Sequence, residues 1–113
     1  MAYEVLVLDV DGTLMRTDKT ISKRTIDAIV DLQQSGVKVA IASGRCTAGI
    51  LPTARMIRLD EFGGYIVSYN GGCISNCQTG EIIYNINLPE GIVQEIYEFS
   101  KKERTGIMTY HGN

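Results

Sequence analysis

The chain has 113 residues, of which 44% are hydrophobic and 21% charged, with a net charge of −2. That is enough length and apolar content for one domain with one core, and it excludes a disordered, collagenous or coiled-coil polypeptide. Basic and acidic residues are interspersed without a basic block, which argues against a nucleic-acid partner and leaves small anions open as ligands.

No apolar run reaches the roughly 20 residues of a membrane span, so no membrane partner is expected. Met1-Ala2-Tyr3-Glu4 places no basic region ahead of the short apolar stretch that follows, and Asp9 and Asp11 break that stretch at once. Neither feature fits a signal peptide. The cysteines are Cys46, Cys73 and Cys77. An odd number without a secretion signal reads as reduced thiols in a cytoplasmic protein. Cys73 and Cys77 are spaced to seed half a metal site, but His111 is the sole histidine. A structural zinc usually takes four ligands, so packing thiols are the simpler reading.

In chain order, Val5-Leu6-Val7-Leu8 is apolar without alternation, which predicts a strand buried on both faces, as in a parallel sheet. Ser22 to Ser35 reads as a helix, with Ser22 as N-cap, Ile21 and Ile26 as a hydrophobic staple, and Gly36 as the stop. Ile26, Ile29, Val30 and Gln33 share its inner face. Val37 to Ala42 is a second buried strand, completing a βαβ unit with parallel strands. Thr47 to Leu59 is helical in pattern, with a kink at Pro52 or an effective start there, because proline removes a helix hydrogen bond. Gly63-Gly64 ends that segment, and Tyr65 to Tyr69 is a third strand.

The pattern then changes. Cys73 to Ile86 reads as a hairpin turning around Gln78-Thr79-Gly80. A helix follows from Pro89, placed at its first position, to Gly106, with Ile92, Val93, Ile96 and Phe99 as a core-facing stripe. Ile107 to Tyr110 is a last short strand. Residues 1–71 therefore form a doubly wound parallel unit, and residues 72–113 open a different, antiparallel α+β layer.

The chemistry centres on Asp9-Val10-Asp11-Gly12-Thr13-Leu14. Two carboxylates stand at the carboxyl end of a strand, where α/β sheets bind ligands. Their mutual repulsion calls for a proton or a cation, and a hard divalent ion such as Mg²⁺ suits oxygen donors. One carboxylate can attack phosphorus while the other handles the proton of the leaving group and of the attacking water. Gly12 lets the chain turn sharply and present backbone N–H groups to an anion. A plain Asp-Gly turn is the bland alternative.

This motif after an apolar strand resembles the first motif of haloacid dehalogenase-type (HAD) phosphatases. The resemblance implies that Asp9 is the nucleophile forming a phosphoaspartyl intermediate and Asp11 the acid/base. It also implies that both contact Mg²⁺, Asp9 through its side chain and Asp11 through its backbone carbonyl. Ala40-Ile41-Ala42-Ser43-Gly44-Arg45 is similar to the second motif, with Ser43 and Gly44 on the phosphoryl oxygens. Ser43 could also cap the next helix. Arg45 resembles the arginine of the Cof-type branch, in contact with the leaving group or in a structural ion pair. Tyr69-Asn70-Gly71-Gly72 resembles the turn that leads into a cap domain, with Asn70 near the substrate or in an ordinary turn. The fold implied is α/β: a partial Rossmann-like HAD core over residues 1–71, then the start of an α+β cap.

The resemblance further implies a lysine and an acidic pair after the cap. No aspartate follows Asp60, and Lys101 and Lys102 fall at the end of the last helix rather than after a core strand. The chain is therefore expected to be a fragment, inert or weakly active, whose parent is a Mg²⁺-dependent phosphatase of small phosphorylated metabolites, sugar phosphates foremost. A phosphomannomutase-like phosphotransferase, a receiver-like phosphorylated module and a non-catalytic interaction module are the competing readings. A bare sheet edge and an incomplete cap lead to an expectation of self-association.

Overall fold

The computed structural model describes residues 3–111. Five strands form one mixed sheet in the order β1-β2-β3-β4-β5: Val5–Asp9, Lys38–Ala42, Tyr65–Ser68, Cys73–Asn76 and Ile82–Asn85. The first three run parallel and the last two are added antiparallel. The α/β class and the parallel start are as the sequence pattern requires. The hairpin is also where expected, but it extends this same sheet instead of opening a separate layer.

Helix α1 (Lys23–Gln34) crosses from β1 to β2. Ser22 is its N-cap, and the Ser22 hydroxyl accepts the Thr25 N–H at 3.1 Å. Ile29 and Gln33 are buried, and Ile21 joins the core with Ile26 packed against it. The Gln33 side-chain amide donates to the Ile57 carbonyl at 2.7 Å, which fastens α1 to the end of α2 (Thr47–Met56). Helix α2 starts at Thr47, so Pro52 lies within the helix rather than at its beginning. Its buried side is Ile50, Thr53 and Ala54. Arg58, in the left-handed region at φ 60°, separates it from the single turn α3 (Leu59–Phe62). The core is one cluster between these helices and the sheet, built from Val10, Leu14, Ile29, Val39, Ile41, Ile50, Ile57, Leu59 and Ile66 among others. Cys73 is buried and Cys77 packs at the cluster's margin, where burial pushes its thiol pKa up.

Four expectations are corrected. Strand β1 is covered on one face only: Leu6 and Leu8 touch the core, while Val5 and Val7 are 55% and 59% exposed. It is also an edge strand among the described residues. Helix α4 spans Ile92–Lys102, capped by Gly91 in a left-handed turn, with Pro89 outside it. Its stripe is not core: Val93, Ile96 and Phe99 are exposed, as are Ile82, Ile83 and Tyr84 on β5. Residues 107–110 form no strand. No described helix is long and apolar enough to cross a membrane.

Candidate active site

The loop after β1 is organised by what it buries. Val10, Leu14 and Met15 enter the core, so Asp9, Asp11, Gly12 and Thr13 are left facing outward. The loop is tied to itself: the Leu14 N–H donates to the Asp9 carbonyl (3.1 Å) and the Met15 N–H to the Val10 carbonyl (2.9 Å). Gly12 takes φ 77°, a conformation most side chains resist. Its N–H donates to the Met15 carbonyl (3.1 Å), so it closes the loop instead of facing an anion.

The ends of the three parallel strands meet at an open cleft of about 450 Å³. Asp9 ends β1, Ala42 ends β2 with Ser43 and Gly44 just after it, and Val67 lies in β3 with Asn70 and Gly71 after it; these residues line the cleft. The Asp9 carboxylate is oriented by the neighbouring Val10 N–H, 2.8 Å from Oδ1. The second loop is laced to the third: Ser43 N–H donates to the Val67 carbonyl (3.0 Å), Asn70 N–H to the Ser43 carbonyl (3.2 Å), and Tyr69 N–H to the Arg45 carbonyl (2.9 Å). Thr47 and Ser68 share a hydrogen bond between hydroxyls at 2.7 Å. Ser43 does not cap α2, whose N-cap is Cys46. Its hydroxyl accepts the Arg45 N–H at 3.2 Å, which leaves its own proton to donate. Gly44 lies close under Asn70: a Cβ there would stand 2.9 Å from Asn70 Oδ1.

Asp11, Gly12 and Arg45 lie outside the cleft lining. Asp11 is gripped by two cations: Lys19 Nζ at 2.8 Å from Oδ1, and Arg45 with Nη2 at 2.6 Å from Oδ1 and Nε at 3.2 Å from Oδ2. Hydrogen bonds from Lys19 first, then Arg45, hold its carboxyl pKa below the usual carboxylate range. Arg45 thereby joins the β1–α1 and β2–α2 loops through its ion pair with Asp11. The sequence reading missed Lys19. Eight residues from Asp11 and in an irregular turn at φ 65°, it carries no periodic signal.

A sequence model of haloacid dehalogenase-like hydrolases matches residues 6–113. The chain belongs to that family. Its fold agrees: a haloacid dehalogenase-like hydrolase from Bacteroides thetaiotaomicron superposes with a TM-score of 0.86 and 42% identity, over 91% of this chain and 39% of that one. A Streptococcus pyogenes protein whose name calls it a phosphatase only provisionally is 32% identical over 83 residues, 74% of this chain and 31% of its own length. The 5-amino-6-(5-phospho-D-ribitylamino)uracil phosphatase of Bacillus subtilis is 31% identical over 98 residues, 86% of this chain and 35% of its length. The chain thus spans about a third of the length of the curated relatives it matches.

Among the described residues, no three His, Cys, Asp or Glu side chains converge as a metal cage. The donors at the strand end are oxygens, which suit a hard cation. Mg²⁺ commonly takes one or two carboxylates and keeps several waters, so Asp9 fits as part of such a site. The Asp11 carboxylate, held by Lys19 and Arg45, leaves only its backbone carbonyl for that purpose.

Proposed function

We propose that the chain carries the nucleophile half of a HAD phosphatase site that hydrolyses phosphomonoesters of small metabolites, sugar phosphates among them. The supporting observation is the convergence of Asp9, Ser43, Gly44 and Asn70 from three strand ends on one cleft.

In this reading an Asp9 carboxylate oxygen forms a bond to phosphorus as the bond to the leaving oxygen breaks. Asp11 gives that oxygen a proton. Water then attacks phosphorus, Asp11 takes its proton, and the Asp9–phosphorus bond breaks to release phosphate. Ser43 donates to a phosphoryl oxygen. Proton donation needs neutral Asp11, which Lys19 and Arg45 oppose for as long as they hold it. Mg²⁺, held by Asp9 and the Asp11 carbonyl, would supply charge neutralisation for the phosphoryl oxygens. Residues 72–113 would lead into the cap, with α4 as its first element.

These residues include neither the later lysine nor the acidic pair that the resemblance implies. A single missing stabilising donor costs roughly 10²–10³ in rate, so turnover by this chain alone should be slight. The test is therefore binding: Mg²⁺ and beryllofluoride, a phosphoryl mimic, followed by amide NMR. Perturbation of Asp9 to Gly12, Ser43 and Gly44 that disappears in Asp9→Asn is expected. Equal perturbation in both proteins would remove Asp9 as nucleophile.

A further inference from the structure

The two cations on Asp11 hold it differently. Arg45 straddles the carboxylate, with Nη2 on Oδ1 and Nε on Oδ2, whereas Lys19 Nζ touches Oδ1 alone. They also come from different segments. Arg45 follows Gly44, which lines the cleft, and its N–H donates to the Ser43 hydroxyl. Lys19 stands on the loop of Asp11 itself, with its side chain 64% exposed against 34% for Arg45. One carboxylate is neutralised by one cation, so Arg45 can leave without stranding Asp11 as an unpaired anion.

Lys19 is placed for this by its backbone. Residues 16–20 make a closed turn. The Arg16 N–H donates to the Thr20 carbonyl (2.8 Å) and the Lys19 N–H to the Arg16 carbonyl (2.9 Å). Asp18 Oδ1 accepts both the Thr20 N–H (3.1 Å) and the Thr20 hydroxyl (2.6 Å). Lys19 itself takes φ 65°, a region that residues with a side chain occupy only where their surroundings impose it. With the backbone fixed, only the lysine side chain has to be ordered to reach Asp11. An exposed ion pair between two mobile loops would lose more entropy and contribute less.

We infer that Lys19 is a positioning residue for Asp11 in the second half of the reaction, while Asp9 carries the phosphoryl group. The inference rests on the reading of Asp9 as nucleophile and Asp11 as acid/base. In that state Asp11 has given its proton to the leaving oxygen, and the phosphoryl oxygens bring a second anion beside it. Arg45 turns to those oxygens. Lys19 keeps Oδ1, which leaves Oδ2 free to take the proton of the attacking water. Without Lys19, repulsion between the two anions would drive Asp11 away from that water. Lys19 touches neither substrate nor phosphoryl group and acts through Asp11.

The test begins with the whole chain and no ligand. Arg45→Ala imitates the departure of Arg45, and the Asp11 rotamer is read from its three-bond couplings by NMR. One rotamer should persist in Arg45→Ala. Adding Lys19→Ala should raise the population of the others about fivefold, the upper end for an exposed ion pair. Lys19→Arg in its place should restore the single rotamer. The Gly12 and Met15 amides should stay unshifted throughout, whereas a lysine that merely shaped the loop would move them. Equal averaging in Arg45→Ala and the double variant would overturn the inference, and so would one rotamer in both. Mg²⁺ and beryllofluoride then imitate the phosphorylated state. As Ser43 and Gly44 respond, the Arg45 Nε resonance should shift while Asp11 keeps its rotamer, and Lys19→Ala should lose it. An Arg45 resonance that stays put beside a Ser43 response would overturn the exchange and leave the phosphoryl site standing. A Ser43 and Gly44 response that is equal in Asp9→Asn would remove the nucleophile reading and the inference with it, whatever the rotamer shows.

Discussion

Single residues decide what the cleft can hold. A Cβ on Gly44 would stand 2.9 Å from Asn70 Oδ1. Contacts under 3.0 Å force something to move, and here the movable part is a side chain that lines the cleft. Gly44→Ala should therefore keep the fold, displace Asn70 and weaken beryllofluoride binding by about tenfold, or ~1.4 kcal/mol. Titration beside a thermal melt checks both halves, and unchanged affinity would show that Asn70 is not part of the anion site. Much at this scale was legible in the sequence. Asp9 stands out as a carboxylate at a strand end, and Ser43, Gly44 and Asn70 by their resemblance to family motifs; one cleft collects all four. Lys19 was not legible, because its contact with Asp11 depends on how an irregular loop folds back. Gly12 was legible as a turn residue, but its N–H proved to be used by Met15.

At the scale of elements, local signals succeeded wherever they stood close to the backbone groups they satisfy. Ser22 capping α1 is one such case. Ser22→Ala removes the acceptor for the Thr25 N–H and should cost ~1 kcal/mol, read as a lower melting temperature with an unchanged cleft. A negligible shift would mean water replaces the hydroxyl fully. The signals failed where they depended on neighbours. Pro89 is a good first residue for a helix, yet Gly91, free to adopt φ 86°, starts α4 two residues later. Residues 107–110 have strand composition but pair with no strand in the described structure, and a lone strand leaves its backbone groups unpaired. The stripe on α4 has true helical spacing, but periodicity shows which residues share a face and not what covers it.

At the scale of the whole molecule, two regions stay uncovered. One is the outer face of β1, with Val5 and Val7; the other comprises exposed apolar residues on β5 (Ile82, Ile83) and, separately, on α4 (Val93, Ile96, Phe99). Contiguous exposed apolar surface favours association. Sedimentation velocity should show a weight-average size that rises with concentration. Ile96→Lys with Phe99→Glu should reduce that rise without lowering the melting temperature, since both residues are exposed. A concentration-independent monomer would contradict it.

The order of strands in the sheet is also their order in the chain. Each strand pairs with the one made just before it, so no strand waits for a later one to separate it from its neighbour. Long-range pairing slows folding because distant segments must first find one another, and domains begin to fold during synthesis. A ribosome releasing this chain would let β2 dock on β1, β3 on β2, and the hairpin on β3, each as it emerges. Growth is then one-directional, like a zipper closed from its first tooth, with the described lining of the Asp9 cleft in place once Gly71 has left the exit tunnel. The free side of β1, where that growth began, is open from the first pairing to the last.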